Sequence, residues 1–180
     1  MRPKLNRISL ALLLAALVPG LASAHGPSRK KEVTTIEINA PADKVWAVIG
    51  NYQDMTWHPA IAKTEATGGN EVDVAKRKLT FKSGGIFTDT LTKYEEKERS
   101  IAFLTNDEDL KTLPIEGYST TLTVTEAGGK STVEWKGAFY RGYMNNDPPP
   151  ELSDNAAVKA ISAFQKEGLE ALKAKVESGS

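Results

Sequence analysis

The 180-residue chain contains no cysteine, which excludes thiol chemistry and leaves no disulfide framework to hold the fold. Histidine is scarce, with only His25 and His58 present. Neither charge is in excess, since 23 basic residues face 23 acidic ones. The short basic runs Lys30-Lys31 and Lys76-Arg77-Lys78 are too small to form a nucleic-acid surface. No Gly-x-Ser-x-Gly, nucleotide-binding glycine pattern or His-Glu-x-x-His segment occurs, so the common hydrolase, nucleotide and zinc-protease signatures are missing. After residue 24 no apolar run is long enough to span a bilayer.

What is present begins at the N-terminus. Arg2, Lys4 and Arg7 precede an apolar run from Ile8 to Ala22, which Pro19 and Gly20 break near its end. Ala22-Ser23-Ala24 follows, the small–any–small pattern a signal peptidase accommodates. The run is shorter than the roughly 20 residues of a spanning helix, so residues 1–24 are expected to be a cleavable signal peptide and the mature protein periplasmic. Cleavage would remove three bases and no acids, leaving a net charge of −3. It would also give His25 a free amine beside its imidazole, a pair able to grip Cu(II). Such a site wants a second histidine, and nothing in the sequence brings His58 near, so no metal and no cofactor is expected.

Residues 25–32 read as a flexible polar arm and 33–177 as a single domain. Alternation over 33–39 predicts a strand. Pro41 and Asp43 open a short helix that Gly50-Asn51 closes. A second short helix or turn is expected over 52–57, ended by His58-Pro59. Stretches rich in Thr, Val, Phe and Tyr then alternate with Gly68-Gly69-Asn70, Ser83-Gly84-Gly85, Glu96-Lys97-Glu98 and Gly128-Gly129-Lys130. They predict strands near 61–67, 72–82, 86–95, 99–105, 116–126 and 131–141. An acidic loop occupies 106–115. After Asp147-Pro148-Pro149-Pro150, a cap at Ser153 or Asp154 and an apolar stripe through Val158, Ile161, Phe164, Leu169, Leu172 and Val176 predict a long helix. The fold class is α+β: a seven-stranded curved antiparallel sheet around the C-terminal helix, with two short helices after the first strand and a cavity between helix and sheet.

Pro41-Ala-Asp-Lys-Val-Trp-Ala-Val-Ile-Gly50 and Trp57-His58-Pro59 resemble the opening of the START/Bet v 1-like superfamily, and more narrowly its bacterial polyketide cyclase/dehydrase-type (SRPBCC) branch. The resemblance implies a helix-grip fold with an internal apolar cavity. His25-Gly26-Pro27 and Asp54-Met-Thr-Trp-His-Pro59 resemble the MxaD-type accessory proteins of methanol oxidation. That narrower likeness implies a non-enzymatic periplasmic protein assisting electron transfer between a quinoprotein dehydrogenase and its cytochrome c. The resemblance supplies no catalytic motif.

Three readings stay open. In the first, the protein docks on such a redox pair through the 106–115 loop and Asn145-Asn146-Asp147-Pro148, because function concentrates on loops held by a scaffold. In the second, it carries or senses a small apolar molecule. Val133, Trp135, Gly137 and Phe139 share the strand face expected to meet the helix, Gly137 leaves space between aromatics, and Phe81, Phe103 and Tyr118 are candidate co-liners. Trp57 and His58 either line the cavity mouth or, respectively, plug the core and face water. In the third, a cyclase or dehydratase uses His58 with Glu116 or Glu134. Arg77 and Arg141 could meet a carboxylate ligand, but Arg on a strand more often lies along the outer surface. The other carboxylates are expected in turns and at outward strand positions.

Overall fold

The computed structural model describes residues 26–179. The expected signal peptide and the copper reading of His25 fall outside them. The elements run β1 (Lys30–Ile38), α1 (Ala42–Ile49), β2 (Ile61–Thr67), β3 (Lys76–Phe81), β4 (Ile86–Glu95), β5 (Ser100–Asp107), β6 (Ile115–Ala127), β7 (Lys130–Arg141) and α2 (Asp154–Ser178). The strands form one antiparallel sheet in the order β1-β7-β6-β5-β4-β3-β2. Hairpins link β2 through β7 in sequence, and α1 lies on the connection from β1 to the far edge. This is the helix-grip architecture.

Period-2 patterning decides which face is covered. On β7, Ser131, Val133, Trp135, Gly137, Phe139 and Arg141 are all buried inward, while Thr132, Glu134, Lys136 and Tyr140 alternate outward. The inner row meets α2, whose 25 residues span about 37 Å at 1.5 Å each. Ser153 caps α2 by accepting a hydrogen bond from Ala156 N–H at 3.3 Å, and Gly179 ends it in the left-handed region at φ 71°. Ile161, Phe164, Leu169 and Leu172 are buried against the sheet. No helix among the described residues is long and apolar enough to cross a membrane.

Three boundaries depart from expectation. The strand that alternation places at 33–39 runs from Lys30, paired with Phe139, to Ile38, so part of the supposed flexible arm is sheet. Arg29 continues the attachment by donating to Ser119 Oγ at 2.8 Å and lying over the Tyr140 ring. Polar residues on an edge strand give no hydrophobic signal, which is why the pattern missed them. Residues 51–60 are a chain of turns and contain no second helix. Asn51, Asp54 and His58 side chains bond neighbouring backbone N–H groups there, as such residues do in place of helical bonds. Residues 71–75 are likewise a turn, with β3 beginning only at Lys76.

Two glycines let α2 approach. A Cβ on Gly168 would lie 2.7 Å from His58 Nε2 and 2.9 Å from Trp135 Cζ3. One on Gly137 would lie 2.7 Å from Gln165 Nε2 and 2.8 Å from the Tyr118 ring. The space beside Gly137 is thus a tight helix crossing filled by Tyr118 and Gln165. Gly168→Ala raises helix propensity by about 1 kcal/mol, yet it should lower stability overall by about 1–3 kcal/mol through overpacking. A urea midpoint equal to or above that of the wild type would show that His58 moves aside freely.

Candidate functional site

The candidate site is the concave sheet face beneath α2. Phe81, Phe87, Phe103, Tyr118, Trp135 and Phe164 stand around its centre, with Leu79, Met55 and Leu113 closing the gaps. The free space among them comes to about 10 Å³, what a single water needs. A wider depression, about 510 Å³, lies instead over β2 to β5 and includes the outward-facing Lys76, Lys78, Thr88 and Thr90. Of the residues named from the sequence, Phe81, Phe103, Tyr118 and Trp135 line this space. Phe139 is buried behind Tyr118, ring centres 6.2 Å apart. Gly137 lies under Tyr118 and Gln165. Half-buried Trp57 packs its ring 6.0 Å from that of Trp135.

His58 is fully buried, so it neither faces water nor stands at a mouth. Its ring stacks on Phe164 at 4.0 Å and meets Trp135 edge-on. Nε2–H donates to the Phe164 carbonyl at 2.9 Å, and Nδ1 accepts from Ala60 N–H at 3.1 Å. Both nitrogens are used by one neutral tautomer. Burial, partly opposed by the Phe164 bond, pushes the imidazole down to about 4. Glu134 pairs with Lys136 on the outer face, and no hydrogen bond or ion pair joins Glu116 or Glu134 to His58. The structure does not assemble the acid–base pair that the enzyme reading requires.

Polar groups inside the core form two further sets. Thr34 Oγ1–H donates to Gln165 Oε1 at 2.8 Å, and Gln165 Nε2–H reaches the Tyr118 hydroxyl at 3.4 Å. Thr120 and Trp135 approach the same hydroxyl without hydrogen-bond geometry of their own. Burial pushes the Tyr118 phenol up despite these neighbours.

The second set corrects the placement of charge on the strands. Arg77 is buried, and its Nε donates to Asp89 Oδ2 at 3.0 Å. Thr105 Oγ1–H donates to Asp89 Oδ1 at 2.8 Å, and Arg77 Nη1 donates to the Tyr52 carbonyl at 3.2 Å. The guanidinium lies 4.5 Å from the Tyr52 ring centre and 4.2 Å from that of Phe103, a position that suits its delocalised charge. Arg141 is buried as well. It donates to the Tyr143 and Asn145 carbonyls and pairs with Asp154 at 3.6 Å. Both arginines meet carboxylates of the chain itself. Alternation held the signal, since Arg77 falls in phase with Leu79 and Phe81, and Asp89 with Phe87 and Leu91.

The comparisons with known proteins agree with this architecture. The family model described as polyketide cyclase/dehydrase and lipid transport matches residues 30–177. The chain belongs to this family. Solved structures similar to this family member include a protein from Bacillus thuringiensis, 26% identical, covering 82% of this chain and 98% of that one at a TM-score of 0.68. A second is XoxI from Bacillus cereus, 27% identical, with 81% and 94% coverage and a TM-score of 0.67. Norcoclaurine synthase from Thalictrum flavum, in complex with dopamine and hydroxybenzaldehyde, shares the fold at 16% identity, 86% and 90% coverage and a TM-score of 0.62. No curated protein matches the chain.

Two outcomes are expected from this geometry. Asp89→Leu, which leaves Arg77 buried and unpaired, should cost about 3–5 kcal/mol, and adding Arg77→Met should recover much of it. Equal urea midpoints for the single and double variants would contradict the pairing. His58 titrates near 6.5 in the unfolded chain and near 4 when folded, so as pH falls the unfolded state binds the proton first. Its stabilising contribution is complete above about 6.5 and is lost towards pH 4, by about 3 kcal/mol in total. His58→Gln should flatten the stability profile in that window; an unchanged slope would place the titration elsewhere.

Proposed function

We propose that this chain is a non-enzymatic periplasmic accessory protein that acts by docking, assisting electron transfer between a quinoprotein methanol dehydrogenase and its cytochrome c. The observation that carries the reading is the filled interior. About 10 Å³ between sheet and helix accommodates nothing larger than a water, so the surface is the part of the molecule left to act. The histidine that could serve acid–base chemistry has both nitrogens engaged and an affinity for protons too low for work near neutrality. The N-terminal signal pattern and the MxaD-like stretches support the same reading.

A second reading is a carrier of a small apolar molecule, favoured by the lipid-transport part of the family description and by the aromatic walls of the void. It requires the side chains around the void to move apart. Native mass spectra of protein from its source periplasm separate the two, because a carrier would release a small molecule on denaturation.

The docking reading is tested by stopped-flow reduction of the cytochrome by the dehydrogenase, with and without stoichiometric protein. A rise in the second-order rate is expected. An unchanged rate at saturating protein would remove the accessory role.

A further inference from the structure

One end of the sheet differs from the rest of the molecule. Residues 106–116 and 142–154 carry seven carboxylates against one lysine, Lys111, in a chain whose charges balance as a whole. The fold brings these two segments together. Gly142 N–H donates to the Pro114 carbonyl at 2.8 Å, and a Cβ on Gly142 would touch Pro114 and Leu110. Between them runs a groove of about 460 Å³ lined by Leu110, Pro114, Leu152, Lys111 and Glu151, with exposed Met144 on the second loop.

Both loops are built to hold one shape. Leu113 is buried in the core, Glu108 accepts from Tyr118 N–H at 3.0 Å, and Asp109 closes its own turn on Lys111 N–H and the Thr112 hydroxyl. Arg141 fastens the other loop through the Tyr143 and Asn145 carbonyls and through Asp154. With Asp107, Glu108, Asp109 and Asp154 occupied internally, Glu116, Asp147 and Glu151 remain without hydrogen-bond or ion-pair partners among the described residues. Glu151 lines the groove beside Lys111, and Glu116 and Asp147 belong to the two acidic segments that form it, on a scaffold that has little ordering entropy left to lose on binding.

We infer that this end docks a basic protein, one presenting lysine or arginine side chains around an exposed apolar patch. The charge decides the occupant. An acidic partner would meet seven carboxylates against one lysine on these two segments, and an apolar small molecule gains nothing from the carboxylates. This inference rests on the docking reading above and adds to it the surface and the partner's chemistry.

The test is a titration of the ¹⁵N-labelled protein with a lysine-rich c-type cytochrome, and with the same cytochrome after lysine acetylation. Amide shifts should gather on Leu110, Lys111, Met144, Glu151 and Leu152. Affinity should fall about tenfold between low salt and ~0.3 M, and the acetylated cytochrome should cause no shifts. Glu116→Lys and Glu151→Lys combined should weaken binding by about tenfold or more without lowering the melting temperature, while Leu152→Ser should weaken it with the salt dependence intact. Shifts on another face, equal binding of the acetylated cytochrome, no binding at all, or self-association through these same amides would each overturn the assignment. A faster electron-transfer rate with shifts elsewhere would leave the accessory role standing and remove only this surface. Shifts in the groove with an unchanged rate would do the reverse.

Discussion

The passage of α2 across the sheet depends on an imidazole occupying the place of a missing side chain. Gly168 leaves the flank of the Phe164 carbonyl open, one turn earlier on the same helix. His58 enters that opening, stacks on Phe164 and donates to its carbonyl at 2.9 Å. Any larger residue at 168 would collide with the ring and with Trp135. The connection between α1 and β2 is thereby pinned to the middle of α2, although the two are more than a hundred residues apart. Gly137 does the same from the sheet side, admitting Tyr118 and Gln165, and Gln165 in turn holds Thr34 on β1. Helix, edge strand and turn segment are joined at two points without a disulfide.

The filled interior follows from these contacts. A helix drawn close at Gly168 and Gly137 leaves no depth for a cavity, and the aromatic rings around Phe164 take up the remainder. Close-packed cores are stiff and do not deform continuously. Opening this one would mean breaking the His58 bonds as well as separating rings. A scaffold shared with the norcoclaurine synthase fold is here closed between sheet and helix, consistent with a role carried by loops at the sheet's end. Fold alone does not choose between such uses; the packing at two glycines bears on the choice.

The architecture was legible because period 2 and period 3.6 are written plainly in β4 to β7 and α2. The face of β7 that meets the helix and a helix start capped at Ser153 or Asp154 follow from the pattern. The buried charges did not follow, because two rules conflict at Arg77 and Asp89. Alternation sends both inward, whereas the cost of burying charge sends them outward. Pairing within the core reverses the second rule, and the partner lies on a neighbouring strand whose register the sequence does not state. His58 was undecidable for a similar reason. A polar residue at the end of a turn faces water unless something deeper receives it, and the Phe164 carbonyl is available only once α2 is in place. Cavity size is further still from the sequence, since periodicity assigns a side chain to a face but does not say how fully that face is packed.

The Arg77–Asp89 pair raises the question of why a core would keep two charges when apolar residues of similar volume are often as stabilising. Its contacts suggest a role in specification. Asp89 ties β4 to β5 through Thr105, and Arg77 ties β3 to β4 through Asp89. The remaining reach of Arg77 goes to the Tyr52 carbonyl, at the start of the turn chain that carries Trp57 and His58. That segment has no helix of its own to fix its path, so a directional, charge-assisted bond at one end and the His58 bonds at the other define it. An apolar pair could fill the same volume, but it would leave the direction of that turn chain to packing alone. On this view the ion pair aims the segment, the segment delivers His58, and His58 seats the helix that closes the interior.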